Sequence, residues 1–342
     1  MNVGELWYGR SAGARSARAA ASPLSWVYMA VVSARNALYD RRVLRVHDSP
    51  IPVVSVGNVT VGGTGKTPFS AYVVSALLKA GHRPAVVMRG YGDDELHLHA
   101  RMNPGVPVIA DVDRVAGIKS AIAAGADVAV LDDGFQHRRA HRDLDIVLVS
   151  AEHWHSNLRV LPAGPLREPV RSLARADLIV ITQKSASDAE TSVVVRAIQA
   201  MPAIDAAVIV VALVPNKIVS ASGDGSVSLD AIMGESVLAI AGIGDPGSFF
   251  TQLRQLGARV TQRRFGDHHA YSEAEAARLA LESVSHKYAI TTEKDAVKLS
   301  KIWPANGPKL WYLSQAVRPT EGASLVAAAL VKLFKRATSI VG

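Results

Sequence analysis

The chain has 342 residues, and at roughly 150 residues per domain about two domains are expected. Apolar residues make up 49% and charged ones 20%, with no cysteine, which excludes a disordered chain, a disulfide scaffold and a thiolate metal site. Lys and Arg number 38 against 30 Asp and Glu, a net charge of +8, which points to anionic partners: nucleic acid, phosphorylated substrates or a membrane surface.

Half of that charge lies at the start, where seven arginines (10, 15, 18, 35, 41, 42, 45) face only Glu5, Asp40 and Asp48. The apolar run Leu24 to Ala34 is eleven residues, short of the roughly 20 that span a bilayer. Arginines before an apolar run also mimic a secretory signal, but a nucleotide motif follows directly. Residues 1–46 therefore read as an amphipathic helix, with Trp26, Tyr28 and Met29 among its apolar residues. It rests on an anionic bilayer or packs on the core, and the sequence leaves both open.

From Pro52 a strand–turn–helix rhythm sets in. Strands are predicted at PVVSVGN, PAVVMRGYG, 106–109, DVAVLDDG, DLDIVLVS and DLIVITQ, with helices over 68–80 and 113–125. Near-continuous apolar strands separated by helices imply a parallel sheet covered on both faces, which binds ligands at its strands' carboxyl ends. Around 206–229 the rhythm changes to two strands joined through Gly-rich sequence, a plausible interdomain connection. A second α/β unit follows, with helices over 246–256 and 272–284, and a last helix covers about 320–336. The domain expectation is a nucleotide-binding core at 47–205, hinge strands at 206–229, a smaller domain at 230–317, and a C-terminal helix in 318–342 that packs back.

The sharpest motif is Gly57-Asn-Val-Thr60-Val61-Gly62-Gly63-Thr64-Gly65-Lys66-Thr67-Pro68. It sits between a strand and a helix, where glycines let backbone N–H groups turn toward phosphates and a helix N-terminus adds its dipole. Thr60 through Thr67 form the ATP loop, with Lys66 reaching the β- and γ-phosphates and the Thr67 hydroxyl on Mg²⁺. A strict loop of this kind has glycine where Thr60 stands. Asp132 and Asp133 end a buried strand, either holding the Mg²⁺ shell or simply making the turn with Gly134. Gln136, His137 and the arginines after them form a solvated face or meet a substrate phosphate. In the rigid loop at 161–169, Glu168 is a candidate to complete the metal shell, and Arg167 and Arg171 are candidates for phosphate. Composition equally allows a structural loop there. Asp267, His268 and His269 suit acid–base work better than a metal, because no partner ligands at helical spacing accompany them.

Together GNVTVGGTGKTP (57–68), RGYG (89–92), DDGFQHRR (132–139), LPAGPLREP (161–169), DHHAY (267–271) and TTEKDAVKL (291–299) occur in this order. In this the chain resembles the tetraacyldisaccharide 4'-kinases from about residue 20 to 335. The resemblance implies a P-loop NTPase-type, mostly parallel α/β core and a second, smaller α/β domain on a two-stranded hinge. It implies transfer of the ATP γ-phosphate, with Mg²⁺, to the 4'-hydroxyl of an acylated glucosamine disaccharide 1-phosphate, giving lipid IVA. The place implied is the cytoplasmic face of the bacterial inner membrane, with no nucleic acid and no obligate protein partner. Residue by residue, the catalytic aspartate of the family's Gly-Asp-Glu element falls on Asp94 and its paired histidine on His268. Arg89 and Tyr91 fall in RGYG beside the substrate. Here Asp93 replaces the family's glycine and the segment after RGYG is shortened.

The rival reading is a P-loop ATPase switch or targeting protein working through protein partners. A GTPase form would want [NT]-K-x-D after a strand. Thr182-Gln-Lys-Ser185 lacks the aspartate, and Thr292-Glu-Lys-Asp295 lacks the lysine at its second position. A nucleic-acid-binding module has only the net charge in its favour.

Overall fold

The structure is a computed structural model that describes residues 3–90, 93–154 and 157–338. Two helices open the chain, α1 (Val3–Tyr8) and the long α2 (Ala12–Asp40), the latter capped by the Ser11 hydroxyl on the Ala14 amide. Then follow β1 (Val53–Asn58), α3 (Lys66–Lys79), β2 (Pro84–Met88), α4 (Asp93–Met102), β3 (Val108–Ala110) and α5 (Arg114–Ala123). Next come β4 (Val128–Asp132), β5 (Leu144–Ser150), β6 (Leu178–Gln183) and α6 (Asp188–Gln199), whose Ser187–Glu190 capping box satisfies its first amides. The remainder is β7 (Ala207–Ser220), β8 (Ser226–Val227), β9 (Ser236–Ala241), α7 (Pro246–Gln255), β10 (Arg259–Arg264), α8 (Glu273–Ser283), β11 (Tyr288–Thr292), α9 (Glu293–Leu299), β12 (Leu310–Glu321) and α10 (Ala323–Thr338).

The chain forms two compact units, one of residues 1–90, 103–212 and 319–342, the other of 91–102 and 213–318. In the first, strands run in the order β3-β2-β4-β1-β5-β6 and then the start of β7, and the pairs from β3 through β7 are parallel. Every residue of β1, β4 and β5 is buried, as expected of central parallel strands covered on both faces. In the second, β10, β9, β11 and β12 are parallel neighbours in that order. Phe249, Phe250 and Leu253 of α7 pack on one core of this unit, and Ala276 and Leu279 of α8 on another.

Two features differ from the expected elements. The two runs read as separate strands around Pro215 are one strand, β7, because β-branched residues flank the proline on both sides and only one ladder donor is lost. The chain leaves the first unit inside β7 and returns inside β12. The acidic segment after RGYG is the start of a helix, α4, and it groups with the second unit, where it packs on α9.

Helix α2 packs on the first unit with one face and leaves apolar side chains exposed on another. Ser25 donates to the Val160 carbonyl at 3.0 Å and accepts from the Ala163 amide at 2.9 Å. Tyr28 donates to the Arg167 carbonyl at 2.9 Å, and Arg171 reaches Ser33 at 2.7 Å. Of the apolar residues named above, Tyr28 and Met29 pack on the first unit's core, since they share the face of Ser25, which is the packing alternative for this helix. Leu24, Trp26, Val27 and Val31 lie on the other face, each more than 60% exposed. Among the described residues no helix is long and apolar enough to cross a membrane.

Candidate active site

In the first unit the phosphate loop leaves β1 at Asn58 and enters α3 at Lys66. Gly65 caps the helix with φ +83°, a left-handed conformation that costs a side chain energy. Gly57 is needed for space: a Cβ there would stand 2.5 Å from the Phe135 Cβ. The loop is braced from three sides. Asn58 Nδ2 donates to Thr64 Oγ1 at 2.8 Å, Thr182 Oγ1 donates to the Thr64 carbonyl at 2.9 Å, and Lys184 Nζ donates to the Gly63 carbonyl. From the 161–169 loop, the Pro165 carbonyl accepts the Val61 amide and the Arg167 amide donates to the Val59 carbonyl, both at 2.7 Å. This loop is a wall of the phosphate site.

Asp132 ends β4 beside it, and Asp133 follows. Asp132 Oδ1 accepts from Ser70 Oγ on α3 at 3.0 Å and from the Asp133 amide at 3.1 Å. Asp133 has φ +55°, uncommon for a residue with a side chain. Its Oδ1 lies 3.6 Å from Lys66 Nζ, and its Oδ2 accepts from Arg167 at 2.7 Å. Burial pushes the Asp133 carboxyl up, but Lys66, Arg167 and Arg114 outweigh it and hold it at about 2. The ionised, buried Oδ1 has no hydrogen bond among the described residues. With Thr67 in the first turn of α3, this donor set suits Mg²⁺, which takes one or two carboxylates and completes its shell with phosphate and water. No group of three or more His, Asp or Glu side chains arranged for a metal occurs among the described residues.

Other expected residues lie elsewhere in the network. Glu168 is 1% exposed. Its Oε2 accepts from Asn36 of α2 at 2.8 Å and pairs with Arg175 at 2.9 Å, and the Arg175 guanidinium covers the Phe135 ring. Gln136 is a strut, donating to the Asn58 carbonyl at 2.8 Å while its own carbonyl accepts from Arg35 at 3.0 Å. Burial, then Arg114, pushes His137 down to about 4, so the imidazole is neutral. Arg89 is exposed at the end of β2. Tyr91 lies outside the described residues, as do the side chains of Asp93 and Asp94, whose backbone forms the first turn of α4.

In the second unit His268 and that turn come together. His268, with φ +58°, has Nε2 4.0 Å from Glu95 Oε1 and 3.0 Å from Lys294 Nζ. Lys294 also lies 3.9 Å from both Glu95 Oε1 and Asp267 Oδ1. His269 differs: it pairs with Glu275 at 3.2 Å and its ring packs between Phe265 and Tyr271. Below them Asp295 is fully buried, its Oδ2 accepting from the Gly242 amide at 2.9 Å and Thr292 Oγ1 at 2.7 Å. Sequence reasoning passed over Glu95, Lys294, Lys184 and Arg114. Lys184 sat in a tetrapeptide weighed only as a GTPase base motif, and Lys294 in a run quoted for the resemblance without a role, though both follow the polar carboxyl end of a strand.

The family model described as LpxK, tetraacyldisaccharide-1-P 4'-kinase, matches residues 17–97 and 92–334. The tetraacyldisaccharide 4'-kinase of Halorhodospira halophila is 37% identical, the match covering 96% of this chain and 95% of that protein. That of Geobacter metallireducens is 39% identical over 82% of this chain and 88% of its own. The crystal structure of "apo" form LpxK from Aquifex aeolicus in complex with ATP covers 94% of this chain and 99% of its own, at 29% identity and a TM-score of 0.70. A loop held by lysine and aspartate at the end of a parallel strand, and matches running through nearly the whole length, place this chain in the LpxK family of tetraacyldisaccharide-1-P 4'-kinases.

Proposed function

We propose that this chain transfers the γ-phosphate of ATP to the 4'-hydroxyl of an acylated glucosamine disaccharide 1-phosphate. The observation that carries the reading is the Lys66–Asp133 pair at the mouth of the phosphate loop, in a chain whose relatives are named as this kinase. ATP is the nucleotide of the Aquifex aeolicus structure. The reading of a switch acting through protein partners has no comparable support.

Little covalent chemistry is asked of the protein in phosphoryl transfer, so positioning and charge neutralisation dominate. The loop amides, the α3 N-terminus and Lys66 hold the phosphates. Thr67 and Asp133 are the residues to hold Mg²⁺, which supplies further charge neutralisation on the phosphates. Arg167 fixes the Asp133 carboxylate. Asp94 takes the proton of the sugar hydroxyl, and His268 orients it. Glu95, in the same helix turn, lies 4.0 Å from His268 Nε2, so the start of α4 is within reach of that ring. Arg89, Tyr91, His137 and Arg171 remain candidates for the substrate side. The exposed apolar face of α2 and the arginines at 41, 42 and 45 support association with an anionic membrane surface, the cytoplasmic face of the inner membrane.

The test is purified protein with labelled ATP, Mg²⁺ and a panel of glycolipids. Label appearing in the disaccharide 1-phosphate supports the reading. ATP hydrolysis that answers only to a protein partner, with no phosphorylated lipid, overturns it.

A further inference from the structure

We propose that Lys294 is a positioning residue for His268, fixing its tautomer and ring orientation for the reaction. The inference rests on the reading of His268 given above. Lys294 Nζ stands 3.0 Å from His268 Nε2. An ammonium group has three donors and no acceptor, so Nε2 must accept and the neutral ring carries its proton on Nδ1. That leaves the Nδ1–H as the ring's one donor. Which ring nitrogen holds the proton is set by the partner of the other, as in other catalytic histidines.

The surroundings are built to hold this contact. Lys294 lies in the first turn of α9, whose N-cap is the Thr292 hydroxyl on the Asp295 amide at 3.1 Å. From the same helix Lys298 Nζ donates to the His269 carbonyl at 3.2 Å, tying the 267–271 loop to α9. The Asp295 carboxylate anchors the start of α9 to the Gly242 amide. Glu95 and Asp267 flank the ammonium at 3.9 Å each. They balance its charge and limit the directions open to it. His268 itself is held at a positive φ with its amide on Asp267 Oδ1 at 3.1 Å. Backbone and ring are thus each fixed by a separate contact.

The test compares the full-length His268→Ala, Lys294→Met and Lys294→Arg proteins and the His268→Ala/Lys294→Met double variant. The readouts are kcat, KM for ATP and for lipid, and long-range ¹⁵N spectra of the histidine-labelled enzyme. Expected is a kcat for Lys294→Met lower by about 10- to 100-fold, the size of loss seen when the partner that orients a metal-bound histidine is removed. Both KM values stay near wild type, Lys294→Arg recovers most of the loss, and the double variant is no worse than His268→Ala. The wild-type spectrum shows His268 protonated on Nδ1, and Lys294→Met loses that preference. A kcat for Lys294→Met within twofold of wild type, while His268→Ala is crippled, overturns the proposal and leaves the role of His268 standing. A raised KM for lipid at unchanged kcat overturns it in favour of substrate binding. Near-normal turnover in His268→Ala overturns the reading beneath it.

Discussion

Arg167 donates to Asp133 Oδ2 at 2.7 Å while Lys66 stands 3.6 Å from the other oxygen. One carboxylate thus joins the phosphate loop to the 161–169 loop, with Asp133 and Arg167 themselves 34 residues apart. Asp133 is held at about 2, below its ordinary value, so its stabilising contribution is present above about pH 4. It is lost as pH falls through 2. Replacing Arg167 with Met removes one of the charges that hold the carboxyl down. The acid limb of unfolding, followed by circular dichroism, should move to higher pH, with a loss of roughly 1 kcal/mol at neutral pH. Lys66→Ala should lower kcat at least about 100-fold, because the transferring phosphoryl charge loses its fixed partner.

Glu168 gives a different prediction. Buried between Asn36 and Arg175, its removal leaves a guanidinium that is itself only 18% exposed without its carboxylate. Glu168→Gln should therefore cost about 3–5 kcal/mol of stability, and the Glu168→Gln/Arg175→Met pair much less. Melting temperatures of the three proteins check it. A stable Glu168→Gln protein that demands more Mg²⁺ would instead return this residue to the metal shell.

These two loops show where sequence reading works and where it stops. The strands β1, β4, β5 and β6 were legible because strands buried on both faces must be continuously apolar, and the site residues were legible as the polar residues that end them. Glu168 was visible as a charge in a rigid loop. Its partners were not, since Asn36 lies 132 residues away and nothing local marks that contact. Tyr28 and Met29 were grouped with Trp26 as apolar residues of one helix, because composition finds the apolar residues without saying what covers each of them. Helix α4 was missed because it begins directly after the sequence Gly-Tyr-Gly and reads as polar loop, and its packing surface on α9 comes from a distant part of the chain.

The contact of α4 with α9 should be pH-sensitive. Glu293, at the start of α9, is pushed up to about 7, by burial first, with Arg101 of α4 pulling it down. The folded state therefore binds more protons than the unfolded chain between about pH 4.5 and 7, and stability falls as pH rises through that window. Glu293→Gln should gain stability over wild type at pH 8 by roughly 1–3 kcal/mol, with the gain vanishing near pH 5. Urea unfolding at the two pH values measures it. An equal effect at both would mean that Glu293 does not titrate in this range.

The outward face of α2 should govern membrane association. Leu24→Ser and Trp26→Ser remove exposed side chains that make no core contact, so the melting temperature should hardly change while vesicle binding weakens. Replacing Arg41, Arg42 and Arg45 with Gln should weaken binding to anionic vesicles only, by about 1 kcal/mol per arginine, and flatten its salt dependence. Co-sedimentation with neutral and anionic vesicles separates the apolar from the charged contribution. Unchanged binding in both sets would leave α2 as a packing element alone.

The last prediction divides two pairs of neighbours. Asp93 and Asp94 share the first turn of α4, and adjacent helical positions point about 100° apart, so only one of them can serve a given partner. Glu95 lies near His268, and the resemblance assigns the base to Asp94. A base at the sugar hydroxyl is worth about 10²–10⁴-fold, so Asp94→Asn should lower kcat by that order with little change in KM for ATP. Asp93→Asn should be mild. For the histidines the difference is one of kind. His268→Ala should damage kcat and spare the melting temperature, because its ring is exposed and its partners are charged. His269→Ala should do the reverse, since it removes a ring packed between Phe265 and Tyr271. A crippling Asp93→Asn beside a mild Asp94→Asn would shift the base by one residue, from Asp94 to Asp93.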